Sequence, residues 1–342
     1  MPRLNSTRLV RLVVVLIGLS AIGLIFKQSK NTLPHIEDLL QSTIQPKHGK
    51  NIFFVETNCS WHEHSKAFRL LNLTVRQACA VESAALHNPS FQVFVLFACS
   101  TYREAALPAP IKATLGYKNV QLRQLQLLEY VKDTPVEQWF QSGAIYNSSY
   151  IIIHMSDFLR LVTLYRYGGL YVDTDVVVLR SLEHVPPNFA ALESDAFVAN
   201  GVLSLAQTGI GHSIAESCLR DFQQNFNGSA WAQQGPLLVT RVMHRICNTT
   251  DLKSLVNNRA DCQSFRVFDS KAFYAVNGDL WRNFFEPSEL EPTLELTKSS
   301  YMVHLWNNSS KALYVSVGSK SPYDVYAKKH CPKVYATAGK YF

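Results

Sequence analysis

The stretch RYGGLYVDTDVVVL, residues 166–179, places two aspartates one residue apart in an otherwise apolar run that follows a pair of glycines. Residues i and i+2 of an extended chain project to the same face, so the pattern predicts a strand on which Asp173 and Asp175 converge. Two close carboxylates repel each other unless protons or a cation lie between them. A divalent cation with oxygen ligands is the natural partner, and its remaining coordination positions suit the oxygens of a diphosphate. The stretch therefore predicts a cation site at or near a strand end.

The residues that precede this stretch predict an α/β sheet. A strand–helix–strand order is present in NIFFVET (51–57), TVRQACAVESAALHNP (74–89) and FQVFVLFA (91–98). Pro89 is the predicted stop of that helix. The segment VQLRQLQLLEYV (120–131) predicts a further strand or a short helix. This order is typical of a parallel sheet, in which ligands gather outside the carboxyl ends of the strands.

A helix is predicted immediately before the acidic pair. The segment SDFLRLVTLYRYGG (156–169) has helical spacing, with Ser156 or Asp157 near the N-cap and Gly168 near the C′ position. The stretch LYVDTDVVVL (170–179) is then the next strand. The acidic pair is thus expected near the carboxyl edge of the sheet.

The N-terminus predicts a membrane anchor. An uncharged run, LVVVLIGLSAIGLIF (12–26), lies between basic residues on both sides. With Leu9, Val10 and a snorkelling Arg11 it reaches 18 residues, enough to cross a bilayer. A cleaved signal peptide is the alternative, but it requires small residues after the run, and Phe26 and a lysine follow here. The arginine-rich side is expected to stay in the cytosol.

The chain is therefore divided into a cytosolic tail (1–11), a transmembrane signal-anchor (12–26), a polar stem (27–50) and a luminal domain (51–342). The span is short, which suits the thinner membranes of the early secretory pathway. We expect a single-pass type II protein of the Golgi membrane. Candidate glycosylation sequons lie on the luminal side at Asn58, Asn72, Asn147, Asn227, Asn248, Asn307 and Asn308.

Cysteine content and charge agree with that compartment. Seven cysteines without a C-x-x-C pair predict some disulfides in an oxidising lumen, with at least one cysteine unpaired or intermolecular. Which cysteines pair is left open. The formal charge is +7, but the lysines and arginines are scattered without a run of five. We therefore expect no nucleic-acid partner and a basic surface suited to anionic ligands or membrane headgroups.

A D-x-D sequence alone is weak evidence, because a solvated turn holds such a pair without a ligand. A sharper alternative is a phosphatase of the haloacid-dehalogenase type, in which the first aspartate is a nucleophile. That motif normally has Thr or Gly-Thr just after the second aspartate, where this chain has Val176 and Val177. It also opens its domain, whereas more than a hundred residues of the domain precede it here.

The wider pattern favours a transferase. The segment HMSDFLRLVTLYRYGGLYVDTDVVVLRSL (154–182) contains the frame S-D-x-x-R-x-x-x-L-Y-x-x-G-G-x-Y-x-D-x-D. It resembles the signature of glycosyltransferases with the GT-A fold and a DXD sugar-nucleotide motif. FFVET (53–57), QACAVESAALHNP (77–89), WAQQGPLLVTRV (231–242) and HLWNNSSKAL (304–313) are similar to the α1,4-glycosyltransferase family. The resemblance covers residue 51 to the C-terminus and implies a GT-A-like, Rossmann-like α/β catalytic domain on the membrane anchor.

The resemblance also implies residue roles. Asp173 and Asp175 would engage Mn²⁺ or another divalent cation, and His304 would complete the metal shell. Asp157, Arg160, Asp173 and Asp175 would form the catalytic set. The implied donor-binding residues are Glu56, Thr57, Asp157, Arg160, Tyr171, Asp173, Asn200, Gly201 and Trp306. The segment GPLLVTR (235–241) would shape the acceptor side.

Plainer interpretations of these residues stay open. Asp157 and Arg160, three apart on one helical face, would also suit a helix start with a surface ion pair. His304 and Trp306 would suit a structural role in the core. The polar pair Glu56 and Thr57 would suit an ordinary strand end.

The implied reaction moves galactose or N-acetylgalactosamine from UDP-Gal or UDP-GalNAc, as co-substrate, in α1,4 linkage to a glycosphingolipid. Retention of configuration is implied by the family. A glycoprotein acceptor, or a non-catalytic luminal glycan-binding protein, are the alternatives. The residues do not distinguish the two donor sugars.

Overall fold

The computed structural model describes residues 33–61, 67–257 and 262–342. His35–Phe342 form one compact unit. The strands are β1 (Asn51–Glu56), β2 (Phe68–Leu70), β3 (Gln92–Phe97), β4 (Ser100–Tyr102), β5 (Val120–Gln124), β6 (Gly169–Val172), β7 (Val176–Val178), β8 (Phe189–Ser194), β9 (Phe197–Val198), β10 (Val202–Leu205), β11 (Arg266–Phe268) and β12 (Met302–His304).

The α-helices are α1 (Val75–His87), α2 (Ala109–Leu115), α3 (Leu127–Val131), α4 (Glu137–Gln141), α5 (Ile151–Tyr167), α6 (Ile210–Gln224), α7 (Pro236–Cys247), α8 (Leu252–Asn257), α9 (Leu290–Thr297), α10 (Asn307–Ser310), α11 (Pro322–His330) and α12 (Pro332–Tyr335). Short 3₁₀ helices span Leu39–Gln41, Ala144–Asn147, Ser270–Ala272, Gly278–Phe284 and Pro287–Glu289.

An eight-stranded mixed sheet organises the unit, in the order β11-β8-β10-β6-β1-β3-β5 with β9 paired to β8. Strands β6, β1, β3 and β5 are parallel, as the strand–helix–strand pattern predicts. Strand β10 runs antiparallel to both β6 and β8, so the sheet is mixed rather than wholly parallel. The mixed α/β class is confirmed, and the polar residues that follow β1 and β6 lie at the carboxyl edge of the parallel part.

Both faces of the sheet are covered, which explains why β1 is apolar at most positions. Its six residues are all buried, and Phe53 and Phe54 pack into separate clusters on opposite faces. Alternate side chains of a strand point to opposite faces, so a strand between two packed layers needs apolar residues in succession.

Helix α1 follows the sequence prediction closely. Thr74 and Gln77 form a capping box at its start, and the helix ends at His87, two residues before Pro89. The ambiguous segment 120–131 contains both predicted elements, since strand β5 is followed by the short helix α3.

The predicted start of the helix before the acidic pair is wrong. Helix α5 begins at Ile151, so Ser156 and Asp157 lie inside it rather than at its N-cap. The helix extends toward its N-terminus through Ile151, which is partly buried and packs against the core. Gly168 ends the helix with a positive φ of 59°, as expected from its position.

The predicted single strand over 170–179 is also wrong. The chain forms β6, turns at residues 173–175, and continues as β7, which pairs with β12 in a separate two-stranded sheet. The acidic pair therefore lies in the turn directly after β6. Its predicted place near a strand end is confirmed, but the two aspartates do not share one face of a strand.

Three disulfides join Cys59 to Cys99, Cys79 to Cys331 and Cys247 to Cys262. Cys218 is unpaired and buried in the core. The expectation of several disulfides and one remaining cysteine is confirmed. The Cys79–Cys331 bond connects α1 to the junction of α11 and α12.

The predicted transmembrane segment 12–26 lies outside the described residues, and among those that are described no helix has the length and apolar character to cross a membrane. Part of the predicted stem, 27–50, contacts the domain. Ile36 and Leu39 are buried, and Asp38 forms a bridge with Gln124 at the end of β5.

Candidate active site

The turn between β6 and β7 holds the two aspartates through main-chain contacts. The Asp173 amide donates to the Gly201 carbonyl at 2.9 Å, which fixes the end of β6. On the other side, the Asn307 amide donates to Asp175 Oδ2 at 2.7 Å. The carboxylates are thus positioned from two distant parts of the chain.

His304 joins the pair because β12 lies antiparallel to β7, with His304 opposite Val176. Its Nε2 lies 3.2 Å from Asp175 Oδ1 and 3.8 Å from Asp173 Oδ2. One ligand atom from each of Asp173, Asp175 and His304 lies within 4.8 Å of the others. Two carboxylates and an imidazole are a donor set that suits Mn²⁺, so the residues fit the cation that the sequence pattern implies.

The electrostatics of this cluster favour a positive charge. Burial by itself lowers the pKa of His304, but the Asp175 charge and hydrogen bonds with both aspartates outweigh it and raise the pKa to about 10. Burial raises the pKa of Asp173, but the Arg160 charge and the His304 hydrogen bond hold it well below its usual range. The two carboxylates favour a positive charge between them, which is supplied by the protonated imidazole or by a divalent cation that replaces its proton.

Arg160 connects the acidic cluster to helix α5. Its guanidinium lies 3.0 Å from Asp157 Oδ1 and 3.1 Å from Asp173 Oδ1. It also donates to the Asn200 carbonyl at 2.8 Å and lies 4.3 Å above the ring of Tyr171. Arg160 is only 5% exposed, so the surface ion pair that the sequence left open is excluded.

The neighbouring carboxyl of Asp157 is equally buried. Burial raises its pKa, while Arg160 and a 2.7 Å hydrogen bond from Asn200 Nδ2 act in the opposite direction. A carboxylate and a guanidinium that hold each other in a buried position form a rigid polar surface. Such a surface suits the hydroxyl and phosphate oxygens of a bound sugar nucleotide.

Two glycines allow this close packing. A Cβ at Gly201 would lie 2.6 Å from Asp173 Oδ2, and one at Gly235 would lie 2.9 Å from Asn200 Nδ2. Both distances are too short for a Cβ atom, so a larger residue at either position would displace Asp173 or Asn200. The structure therefore brings Gly201 and the start of segment 235–241 to the Asp157–Arg160–Asp173 group.

Tyr171 and Trp306 pack beside the cluster. The Tyr171 hydroxyl donates to Asp173 Oδ1 at 2.6 Å. The Trp306 indole donates to the Val276 carbonyl at 3.0 Å, and its ring meets that of His304 edge to face at 4.6 Å. Trp306 adopts a left-handed backbone, with φ of 54°, an unusual conformation for a residue with a side chain.

Glu56 and Thr57 end β1 at the same edge of the sheet, but their side chains already have partners. Glu56 lies 2.9 Å from Arg69 and accepts from the Asn58 amide at 2.7 Å. The Thr57 hydroxyl donates to the Ile152 carbonyl at 2.7 Å. Within the parts of the chain that the structure describes, neither side chain forms a hydrogen bond or ion pair with the acidic cluster. Their role in donor binding stays a prediction.

Two further residues, Tyr274 beside His304 and Glu193 on the same cavity, carry no signal in the sequence. The ring of Tyr274 lies 5.5 Å from that of His304, and both side chains line a cavity of about 580 Å³. Neither belongs to a recognisable local pattern, so only their approach in space identifies them. A second cavity, of about 1000 Å³, lies at the carboxyl ends of β3 and β5 and is lined by Trp61, whose indole donates to the Thr57 carbonyl.

Six of the seven candidate sequon asparagines are exposed, and Asn307 is only half-buried. The backbone of Asn307 touches Asp175, so a glycan on it would crowd the cluster. Of the overlapping sequons at Asn307 and Asn308, the exposed Asn308 is the more accessible acceptor.

Two family models match the chain. One, described as "Glycosyltransferase sugar-binding region containing DXD motif", matches residues 74–192. The other, described as "Alpha 1,4-glycosyltransferase conserved region", matches residues 207–338. Together they include every residue of the acidic cluster and its buried arginine.

Curated relatives extend the likeness over most of the chain. Lactosylceramide 4-alpha-galactosyltransferase of Rattus norvegicus is 31% identical over 293 residues, which cover 85% of this chain and 76% of the relative. Alpha-1,4-N-acetylglucosaminyltransferase of Homo sapiens is 28% identical over 297 residues, which cover 84% of this chain and 80% of the relative.

Solved structures show a more distant likeness. A galactosyltransferase, LgtC, in complex with donor and acceptor sugar analogues has a TM-score of 0.40 at 13% identity, covering 82% of this chain and 95% of that one. The glycosyltransferase GlyE of Streptococcus pneumoniae has a TM-score of 0.45 at 11% identity, covering 86% of this chain and 65% of that one.

Proposed function

This chain belongs to the α1,4-glycosyltransferase family, and on that premise we propose that it transfers galactose or N-acetylgalactosamine from a UDP-sugar to a glycosphingolipid. The product is an α1,4 linkage to the terminal sugar of the acceptor, formed with retention of the donor's configuration. The domain is of the GT-A-like type. Because the family is established, the chain is a glycosyltransferase, and the phosphatase alternative is discarded.

One observation carries the proposal: Asp173, Asp175 and His304 converge beside the buried pair Arg160 and Asp157. A cation-binding cluster next to a rigid guanidinium–carboxylate pair is what a nucleoside diphosphate sugar requires, with its negative phosphates at one end and hydroxyls at the other. An arrangement with all these side chains intact also argues against a non-catalytic glycan-binding protein.

Each residue has a proposed task. Asp173, Asp175 and His304 hold Mn²⁺ or another divalent cation, which supplies positive charge for the departing diphosphate when it is bound. Arg160 lies where it stabilises the growing negative charge, and Asp157 accepts hydrogen bonds from donor hydroxyls. Tyr171 and Asn200 keep these two side chains oriented.

The proposed transfer is a same-face substitution. The bond from the anomeric carbon to the UDP oxygen breaks, and the acceptor oxygen bonds to that carbon on the face that UDP leaves. The proton of the acceptor hydroxyl moves to the departing UDP oxygen. This route requires no protein nucleophile, which agrees with the pairing of Asp157, Asp173 and Asp175 with Arg160 or His304.

The donor sugar is the finer part of the proposal. Galactose is favoured because the galactosyltransferase relative is 31% identical to this chain. The N-acetylglucosaminyltransferase relative, at 28% identity, adds a third donor, UDP-GlcNAc, that must be compared.

The proposed setting is a type II protein of the Golgi membrane with segment 12–26 as its anchor, residues 27–50 as its stem and residues 51–342 as a luminal catalytic domain. The part of the stem from His35 onward packs onto that domain. Three disulfides and six exposed sequon asparagines support passage through an oxidising, glycosylating compartment. A membrane-anchored transferase reaches glycolipid headgroups directly, whereas a glycoprotein acceptor is the alternative.

The test is a donor and acceptor screen with the full chain in detergent. UDP-Gal, UDP-GalNAc and UDP-GlcNAc are each supplied with a neutral glycosphingolipid or a glycoprotein, and the product linkage is determined by NMR. The Asp175→Asn protein is the matched control, and EDTA followed by Mn²⁺ tests the cation. Transfer to glycoprotein alone, a β product, or full activity in EDTA would each contradict a separate part of the proposal.

A further inference from the structure

We propose that the cavity lined by Glu193 and Tyr274, called the Tyr274 cavity below, binds the terminal sugar of the acceptor and selects neutral over anionic acceptors. In it, the Tyr274 hydroxyl and the Glu193 carboxylate hold the attacking hydroxyl of that sugar. The inference rests on the proposed function, since it assigns the acceptor part of the same site.

The Tyr274 cavity adjoins the acidic cluster. It has a volume of about 580 Å³, which is large enough for a sugar unit. A point at the Gly201 Cβ position is 2.6 Å from Asp173 Oδ2 and 3.0 Å from the Tyr274 hydroxyl, so both oxygens approach one spot. Tyr274 also packs its ring against His304. The wall of the cavity thus touches the cluster that is proposed to bind the donor diphosphate.

The Tyr274 hydroxyl needs a partner that the protein does not supply. The residue is 2% exposed, and the hydroxyl has no hydrogen bond within residues 33–61, 67–257 and 262–342. A buried hydroxyl without a partner is costly, and native structures pair nearly all of them. A substrate hydroxyl in the cavity would supply the missing hydrogen bond.

Glu193 also lines the cavity, near the end of β8. Burial raises the pKa of Glu193, which lines the same cavity as Tyr274. A carboxylate in this position accepts a hydrogen bond from a sugar hydroxyl, whereas it repels a second carboxylate.

The charges around the cavity argue for a neutral sugar. Among the lining residues that the structure describes, three carry carboxylates, Glu193, Asp195 and Asp269, and one is a lysine, Lys253, which pairs with Asp195 at 3.4 Å. The resulting negative potential favours hydroxyl donors and disfavours a sialic acid carboxylate or a sulfate. The donor's own negative phosphates are expected on the other side of the cluster, beside Arg160.

The first experiment compares Glu193→Gln and Tyr274→Phe with the wild-type full chain. We expect the acceptor KM to rise about ten- to hundred-fold for Glu193→Gln and about two- to ten-fold for Tyr274→Phe. The larger effect is expected for Glu193 because a hydrogen bond to a charged group contributes more binding free energy than one between neutral groups. The donor KM and the slow hydrolysis of UDP-sugar without acceptor should stay unchanged. The melting temperature should not fall in either variant, and it should rise in Tyr274→Phe if the unpaired hydroxyl is costly in the free protein. Glu295→Gln, the same change at an exposed side chain on α9, is the matched control.

The outcomes separate the two proposals. If the wild-type chain neither hydrolyses nor transfers from any UDP-sugar, the proposed function fails. If it transfers but both variants keep the wild-type acceptor KM, the inference fails alone. A rise in donor KM, rather than acceptor KM, would assign the cavity to the donor and overturn the inference.

A second experiment tests charge selection with a matched pair of acceptors, one neutral and one that carries a terminal sialic acid. The wild type should prefer the neutral acceptor at least ten-fold in kcat/KM, and Glu193→Gln should reduce that ratio several-fold because one repelling charge is gone. Equal use of both acceptors by the wild type would overturn the charge argument.

Discussion

Replacement of Arg160 tests whether this buried guanidinium contributes to catalysis as well as to stability. Its guanidinium contacts two carboxylates, Asp157 at 3.0 Å and Asp173 at 3.1 Å, and donates to the Asn200 carbonyl at 2.8 Å. A lysine ammonium keeps the charge but cannot reach all three partners from one point. We therefore expect Arg160→Lys to leave one carboxylate without its charged partner.

The magnitude follows from burial. The Arg160 side chain is 6% exposed, and that of Asp157 is 5% exposed. Loss of a hydrogen bond to a charged group costs about 1.5–3 kcal/mol, which is the expected fall in the free energy of unfolding for Arg160→Lys. Arg160→Met removes the charge and should cost about 3–5 kcal/mol, since it leaves the buried Asp157 carboxylate without its charged partner.

Activity should fall as well. If Arg160 stabilises the departing UDP, the lost interaction lowers kcat/KM by about ten- to hundred-fold for Arg160→Lys. Unfolding is followed by circular dichroism in urea with the disulfides intact, and transfer is measured well below the melting temperature so that folded protein alone is compared.

A matched control is available in Arg220, whose side chain is 56% exposed and pairs with Glu216 on α6. Arg220→Lys should change the unfolding free energy by at most about 1 kcal/mol and leave transfer unchanged. Wild-type stability and activity in Arg160→Lys would refute the reasoning. Lost stability with normal kcat/KM would confine Arg160 to a structural role.

Three further changes test other parts of the molecule. Asp175→Asn should lower transfer at least about a hundred-fold, because an amide lacks the charge that holds the cation. Calorimetry should also show weaker Mn²⁺ binding. Unchanged Mn²⁺ binding would show that Asp175 is not a metal ligand. Gly201→Ala should reduce transfer, since its Cβ would lie 2.6 Å from Asp173 Oδ2, whereas Gly278→Ala meets nothing closer than 3.6 Å and should be near wild type. Cys331→Ser should lower the unfolding free energy by about 2–5 kcal/mol in denaturant titration, and an unaltered midpoint would show that its disulfide contributes little.

The sequence by itself determined the local chemistry. Apolar runs predicted β1 and β3, and helical spacing with a proline stop predicted α1, because these signals depend on residues a few positions apart. The D-x-D pair and the i, i+3 spacing of Asp157 and Arg160 are local in the same sense. Local periodicity failed at Asp173 and Asp175, where the chain leaves the sheet and turns, and at Ile151, where tertiary packing lengthens a helix.

Only the tertiary structure decided which distant residues complete the site. The family resemblance implied His304 as a metal ligand, but only the structure shows that it reaches the acidic pair through the pairing of β12 with β7. Tyr274 and Glu193 come from segments with no sequence pattern of their own. The same holds for the disulfide between Cys79 and Cys331, which are 252 residues apart. Backbone preferences act over a few residues and can be recognised from local sequence. The approach of remote side chains depends on how the whole core packs, and local sequence patterns do not specify that packing.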